Sequence, residues 1–453
     1  MPLAPATVEP LRARVRGRVV TRDDGDWDAA RQGFNLAVEL QPALVVVPAD
    51  VDDVVATVRF AAAHGLRVAP LGTGHNGGPL PPLDDAILLR TTALTEVELD
   101  LAAARARVGA GARWRDVVDA ASRAGLAALH GSTPHVTIAG YALGGGMGWY
   151  ARAHGLACNR VTAIELVTPD GVARVVDAER DPELFWALRG GCGGFGVVTG
   201  LTFELLPIRA VFAGALFFPW ERTDEVLHAW SRWSADAPEE VTSCGRILRF
   251  PPFPEIPEPM RGRSFAVVEA VSLLDADASA ELLAPLRALQ PAIDTFATVP
   301  PAGIAELHMD PPEPVPGRSG HRLLDGFDGA RVDALVAAAG PDSGTSLVSV
   351  EVRQTGGALA RAADGAGALA TVPGRYCAFA VGIAAGPAAA ALDGDLARVD
   401  AALADGDAGR LLNFTEQPSD AAAAFDAATY ARLRAVKRRV DPDGLVLANH
   451  PLA

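Results

Sequence analysis

"VAPLGTGHNGGPLPPL", from Val68 to Leu83, decides how this chain is read. Gly72, Gly74 and Gly77 spell G-x-G-x-x-G, the fingerprint of a dinucleotide-binding β-α-β unit. In that unit the third glycine opens a helix whose N–H groups meet a pyrophosphate. Here the residues after Gly77 are Gly78, Pro79, Leu80, Pro81 and Pro82. Pro81 and Pro82 forbid a helix starting at the third glycine. No acidic residue closes a strand about 20 residues further on, where a ribose contact would fall. The Rossmann reading fails on its context. What remains is a glycine-rich loop whose bare N–H groups cradle a pyrophosphate without a helix, or a tight turn with an incidental histidine, His75.

Upstream, "ALVVVPA" (43–49) reads as a buried strand. Val51, Val54, Val55, Val58 and Ala62 then fall on one helical face. Asp52 and Asp53 suit the positive end of that helix and Gly65 its C-cap. "LRVAPLG" is a second strand, so the glycine loop is delivered at a strand end. Downstream, "ARVGAG" predicts a strand and "WRDVVDAASRAGL" a helix. "VTAIELVTPDGVARVVD" predicts two strands around a Pro-Asp-Gly turn. "FGVVTGLTFELLP" predicts a strand pair or one long strand, closed by Pro207. Beyond it come strand-like "AGALFFPW", helices over 224–235, 278–289 and 329–339, a Pro-rich loop over 251–259, strands "SLVSVEVRQ" and "YCAFAVGIA", and the helix "ATYARLRAVKRRV". This texture is an α+β domain with an antiparallel sheet.

The chain has 453 residues, enough for two or three domains. Its net charge of -15 repels nucleic acid and anionic membranes. Cys158, Cys192, Cys244 and Cys377 are scattered, with no C-x-x-C pair, which argues against a zinc site and a disulfide framework. "MPLAPATVEPLRARVRG" lacks the apolar core of a signal peptide, and the longest apolar run, Cys377 to Leu392, is too short and broken to span a membrane. The expectation is a cytoplasmic protein that binds neither metal, nucleic acid nor membrane. Oligomeric state is not legible.

Two further glycine-dense segments accompany the first. "HGSTPHVTIAGYALGGGMGWYARAHGL" holds Gly140, Gly144, Gly145, Gly146 and Gly148, and "DPELFWALRGGCGGFGVVT" holds Gly190, Gly191, Gly193, Gly194 and Gly196. Three such loops point to a long ligand approached closely by backbone.

"GTGHN", "GSTPHVTIAGYALGGGMG", "DPELFWALRGGCGGFGVVT" and "RLRAVKRRVDPDGLVLANHP" resemble, in order and spacing, the FAD-linked oxidases of the vanillyl-alcohol oxidase (PCMH-type) superfamily, in its berberine-bridge-enzyme-like branch. The resemblance implies a bipartite FAD-binding domain of two α/β subdomains over 1–207, a substrate domain with an antiparallel sheet flanked by helices over 208–410, and a segment over 411–453 that returns to the FAD domain. It implies FAD attached covalently through the imidazole of His75, a good nucleophile when neutral. The cofactor-binding positions carried over are Gly72, Thr73, Gly74, His75, Asn76 and Gly77; Ser132, Thr133, Val136, Ile138, Gly140, Gly144, Gly145 and Gly148; Gly196 and Val198; and Asn449.

Two departures stand out. Relatives with a second flavin bond carry a cysteine where this chain has Thr133, so attachment through His75 alone is expected. Val136 stands where the family governs oxygen access, or simply packs under the ring. Relatives with Tyr-x-Asn use the tyrosine in deprotonation; here Leu411 replaces it beside the matching Asn413, and leucine cannot act as a base. Candidate catalytic residues are therefore Glu351 and Tyr376, with His135, Arg353, Gln354 and Asn413 as substrate candidates. Glu351 and Arg353 share a strand face, which also suits an exposed structural salt bridge, and Tyr376 suits a packed strand. Cys192 reads as a small buried residue, and His64, His130 and His154 as ordinary loop or helix-end histidines.

The implied activity is an FAD-dependent oxidase that moves a hydride from a small organic, secondary-metabolite-like substrate to flavin, with dioxygen as the final acceptor and hydrogen peroxide as product. Alternatives are a dehydrogenase of the same fold with poor oxygen reactivity, a sugar or alcohol oxidase, and a non-catalytic flavin-bearing binding protein.

Overall fold

Leu44–Val47, Val51–Ala63 and Arg67–Leu71 fold as strand, helix and strand. Asp50 caps the helix, accepting from the N–H groups of Asp52 and Asp53, which satisfies two of the donors a helix start leaves orphaned. A strand that the sequence did not announce, Ala86–Arg90, inserts between these two and runs parallel to both. All five of its residues are buried, as a parallel strand covered on both faces requires. The computed structural model describes residues 5–254 and 256–452.

Three sheets organise the described residues. The first has four strands, Arg18–Val20, Leu44–Val47, Ala86–Arg90 and Arg67–Leu71 in that spatial order. The second is antiparallel with five: Val97–Asp100, Arg105–Gly109, Val197–Glu204, Val161–Val167 and Ala173–Asp177. Helix Trp114–Arg123 buries Trp114, Val117, Val118 and Ala121 against it, at the three- and four-residue spacing of one helical stripe. The 197–204 segment is one long strand rather than a pair.

The third sheet begins at Val211 and has nine strands, all antiparallel. Its central order is Val211–Pro219, Ser264–Ser272, Val241–Arg249, Ser349–Gln354, Tyr376–Ile383 and Gly317–Leu324. Helices Thr223–Asp236, Gly329–Ala339 and Ala389–Ala402 cover one face, and Trp230, Leu335 and Leu392 lie in the core between. The other face turns towards the first two sheets. The apolar run from Cys377 splits into a strand and this last helix, and no helix among the described residues is long and apolar enough to cross a membrane.

Residues 411–452 pack back onto the first two sheets. Helix Ala427–Val440 buries Leu433 and Val436 in the core of the second sheet. Val446 then bridges Val68 in parallel, beside the strand that leads into the glycine loop. Arg152, on the short helix Ala151–His154, clasps the third sheet's side of the molecule. Its buried guanidinium donates to the carbonyls of Val241 (2.7 Å), Ala237 (2.9 Å) and Pro238 (3.1 Å), and also to that of Thr355.

Candidate active site

A cavity of about 1020 Å³ lies between the third sheet and the three glycine loops. Small-molecule sites run to roughly 1,000 Å³, so this one has room for a dinucleotide and a second molecule. Its loop side is formed by Gly72, Thr73, Gly74, His75, Asn76, Ser132, Thr133, Val136, Gly140, Gly144, Gly196, Val198 and Asn449.

The loop geometry follows from its glycines. A Cβ on Gly72 would stand 2.4 Å from the Thr137 hydroxyl oxygen, and one on Gly74 would stand 2.7 Å from Gly33 Cα, at a backbone φ of +83°. Only glycine brings the chain this close. The imidazole of His75 lies tilted against the Phe34 ring, and burial pulls its pKa down to about 4, so the ring is neutral at physiological pH. Its Nδ1 is buried and has no hydrogen-bond partner among the described residues, and neither has Asn76 Oδ1. Buried polar atoms are rarely left so, and those that are need a reason. A ligand carrying polar atoms in this cavity supplies one. FAD fits on both counts: orphaned polar atoms on the wall, and close-packed backbone around it.

Some expected positions lie elsewhere. Ile138 is buried in the core of the second sheet. Gly77, Gly145 and Gly148 are off the wall; Gly145 abuts Leu369 and Gly148 the carbonyl of His130, so both serve packing. His135 is also off the wall, and burial lowers its pKa. Tyr376 points to the helix-covered face, where its hydroxyl meets Ser234 at 3.0 Å and its ring packs near Trp230. Gln354 shares that face and accepts from Ser243 at 2.9 Å, as strand alternation requires. Asn413 does line the cavity, but its amide is committed to backbone: Oδ1 accepts from Gly146 N at 2.8 Å and Nδ2 donates to Tyr141 O at 3.3 Å. Leu411 is buried with Met147, Cys158 and Leu369, away from the cavity. Cys192 is buried on the wall in a left-handed conformation, φ +74°, that few non-glycine residues adopt.

Glu351 and Arg353 do face the cavity, and the pair is buried rather than exposed. They belong to a charged cluster that no local signal in the sequence announces. His308 is held between two carboxylates, with Nδ1 2.5 Å from Glu269 Oε2 and Nε2 2.6 Å from Glu351 Oε2. Arg353 Nε donates to Glu351 Oε1 at 2.7 Å, and Arg246 Nη1 lies 3.2 Å from Glu269 Oε1. Arg246 also donates to the His308 carbonyl at 2.7 Å and to Ser349 Oγ at 2.8 Å. Sheet register builds the cluster. Glu269 pairs Cys244, which pairs Arg353; one row along, Arg246 pairs Glu351.

Burial pushes the Glu351 carboxyl up, but Arg353, His308 and Arg246 outweigh it and hold the carboxylate well below its ordinary range. Glu269 is lowered in the same way by His308 and Arg246. Burial and Arg246 push His308 down, yet the two carboxylates prevail and its pKa is raised. The cluster is a fixed array of charges. It reaches the loops through Arg353 Nη2, which donates to Ser132 Oγ at 3.3 Å, and through Ser132, which donates to Asp310 Oδ2 at 2.9 Å. Between His308 and Asp310, Met309 is held at φ +56°. Such strain persists where surrounding structure over-determines it, often at functional sites. Sequence reasoning also missed Tyr141 and His450, which line the cavity and whose buried Oη and Nε2 atoms have no hydrogen-bond partner among the described residues, and Glu416.

Residues 42–177 match the FAD binding domain family. (R)-6-hydroxynicotine oxidase of Paenarthrobacter nicotinovorans is 34% identical over 207 residues, 46% of this chain and 45% of that protein. An uncharacterized FAD-linked oxidoreductase of Bacillus subtilis is 29% identical over 237 residues, 51% of this chain and 52% of the other. The chain thus spans about half the length of the curated relatives it matches. In fold it is similar over nearly its whole length to BBE-like 1 of Physcomitrella patens, with a TM-score of 0.83 at 20% identity, covering 98% of this chain and 99% of that one. It is equally similar to 6-hydroxy-D-nicotine oxidase of Arthrobacter nicotinovorans, with a TM-score of 0.83 at 24% identity over 95% and 96% of the two chains. Residues 42–177 thus form an FAD binding domain, in a chain whose whole α+β fold is shared with BBE-like 1 and 6-hydroxy-D-nicotine oxidase.

Proposed function

We propose that this protein is an FAD-dependent oxidase acting on a small organic molecule, with its flavin attached through His75 alone. The observation that carries the reading is the His75 imidazole: neutral, lying tilted against Phe34, its Nδ1 buried and without a hydrogen-bond partner among the described residues on the wall of a dinucleotide-sized cavity. When bound, FAD supplies the hydride acceptor and passes the electrons to dioxygen, giving hydrogen peroxide. A neutral imidazole offers a lone pair for a covalent bond, as an imidazolium does not. Thr133, on the same wall, has no thiolate to make a second one.

The third sheet forms the substrate floor. Phe379 and Val381 give it an apolar centre, with Phe250, Phe253 and Met260 around the cavity. This lining supports a substrate with an apolar body over an oligosaccharide, and relatives include oxidases of both kinds. Glu351 orients Arg353 and, with Glu269, holds His308 from both ring nitrogens, so the floor presents fixed polar groups to the substrate. Preorganised groups of this kind need no rearrangement during reaction. A carboxylate held so far below its ordinary range is a poor proton acceptor, so Glu351 works by binding and orienting.

Acid precipitation tests the reading. The wild-type pellet stays yellow, a His75→Ala pellet is colourless, and the wild-type protein consumes dioxygen when given substrate. Yellow colour released into the wild-type supernatant refutes the covalent bond. Reduced flavin that decays slowly in air refutes the oxidase and leaves a dehydrogenase.

A further inference from the structure

The cavity floor ends, on the side away from Arg246, at a carboxylate that the charged cluster does not touch. Glu416 receives a hydrogen bond from Ser319 Oγ at 2.7 Å and has no cation within ion-pair distance among the described residues. Ser319 pairs Val381, which pairs Ser349, which pairs Leu248, one row along from Arg246, Glu351 and Phe379. Ser319 therefore lies on the same sheet face as Glu351, two strands away, and holds Glu416 at the cavity wall. At the usual interstrand spacing, the strand of Ser319, which holds Glu416, runs about 10 Å from the strand of Glu351 and Arg353. Phe379, Val381 and Phe414 fill the distance with apolar surface.

The balance of charge around this cavity is uneven. Its cations are already committed: Arg246 to Glu269, Arg353 to Glu351, and His308 to both carboxylates. Arg249 donates to the Thr345 carbonyl and lies over the Trp220 ring. Three carboxylates on the wall have no cation within ion-pair distance among the described residues: Asp310, which still feels Arg246 and Arg353, Glu313 and Glu416. Asp310 accepts from Ser132, and Glu313 is exposed at the mouth. Glu416 is the one set against the apolar floor, and burial raises its pKa, with only Ser319 to offset this. A charge in such surroundings calls for a counter-ion. A neutral hydroxyl would serve less well, since charge-assisted hydrogen bonds are roughly twice as strong.

We propose that Glu416 receives a positively charged nitrogen of the substrate, so that the cavity takes an amine whose apolar body lies across Phe379 and Val381 towards Arg353. The proposal rests on the oxidase reading and narrows its substrate class.

The test is calorimetric titration of the flavin-loaded protein at neutral pH with three probes of one shape: 4-phenylbutylamine, 4-phenylbutanol and 4-phenylbutyrate. The amine binds about tenfold tighter than the alcohol, the gain expected of one charge-assisted contact, and the carboxylate binds weakest. Glu416→Gln removes the preference by weakening the amine alone. Glu416→Lys reverses it, favouring 4-phenylbutyrate, and carries the test if the glutamine variant does not fold. Asp310→Asn keeps most of the preference. Equal binding of amine and alcohol by the wild type, no measurable amine binding, a preference that survives Glu416→Gln, or its complete loss in Asp310→Asn overturns the proposal. Flavin content and peroxide production are measured on the same preparation. Their failure counts against the oxidase reading and leaves the charge preference legible by calorimetry.

Discussion

The ring of Phe34 lies 3.7 Å from the imidazole of His75, centroid to centroid, tilted by 39°. Phe34 is itself pinned from two sides. Its N–H donates to the Thr73 carbonyl at 2.9 Å, and its carbonyl accepts from Val315 at 3.2 Å. The imidazole therefore has one face covered by a ring whose backbone is anchored on both sides. Phe34→Ala should slow covalent flavin incorporation about two- to tenfold, as loss of a ring contact of roughly 1 kcal/mol implies. The measurement is the fraction of flavin retained in acid-precipitated protein against time after adding FAD to apoprotein. An unchanged rate would show that His75 is positioned by other contacts.

The neutrality of His75 has its own signature. With its pKa lowered to about 4, the ring loses its lone pair only in acid. Flavin attachment should therefore be level from about pH 6 to 8, where an ordinary imidazole near 6.5 would titrate. Covalent flavin assayed across that range checks it. A rate that rises through pH 6.5 would mean a solvated ring.

The buried charge cluster sets a stability window. Glu269 and Glu351 have lowered pKa values, so their contribution is complete above about 4.3, the unfolded value, and is lost as pH falls through their folded values. His308 has a raised pKa, so its contribution is complete below about 6.5 and is lost as pH rises through its folded value. The cluster stabilises most between these limits. Glu269→Gln leaves Arg246 and His308 under-compensated and should cost about 3–5 kcal/mol, read by urea unfolding. His308→Gln should remove the alkaline limb of the pH profile, and persistence of that limb would assign it to another group.

Arg152 joins the two halves of the molecule through carbonyls alone. Arg152→Ala strands several buried acceptors, each costing about 1–3 kcal/mol. We expect a lower Tm and faster proteolysis near Gly356 and Gly357, which pack against Arg152. A variant with wild-type Tm would mean that water replaces the guanidinium.

The loop side of the cavity was legible because its signals are local. Glycines, a histidine and prolines within a dozen residues set what the backbone can do around His75. The strand and helix of residues 44–63 were legible for the same reason, through periodicity and an acidic first turn. The floor was not. Glu269 is a single acid in the otherwise uncharged strand Ser264–Ser272, and His308 lies in an irregular stretch. Their meaning arises only when strand pairing brings Glu269, Arg246 and Glu351 side by side. A lone carboxylate inside a buried strand was the one clue available, since such a charge demands a partner from elsewhere in the chain. Tyr376 misled for the converse reason: strand alternation sends it to the helix-covered face with Gln354, and no sequence window says which face meets the cavity.

Val446 pairs with Val68, and Asn449 reaches the carbonyl of Asn76 at 3.4 Å, so one wall of the cavity joins residues 373 positions apart. A ribosome delivers these residues far apart in time. The glycine loop and its histidine emerge early, but the wall around them stays open until residue 449 has left the exit tunnel. If His75 captures the flavin as proposed, that step follows synthesis and docking of the whole described fold, because a nascent chain has no pocket to hold the cofactor.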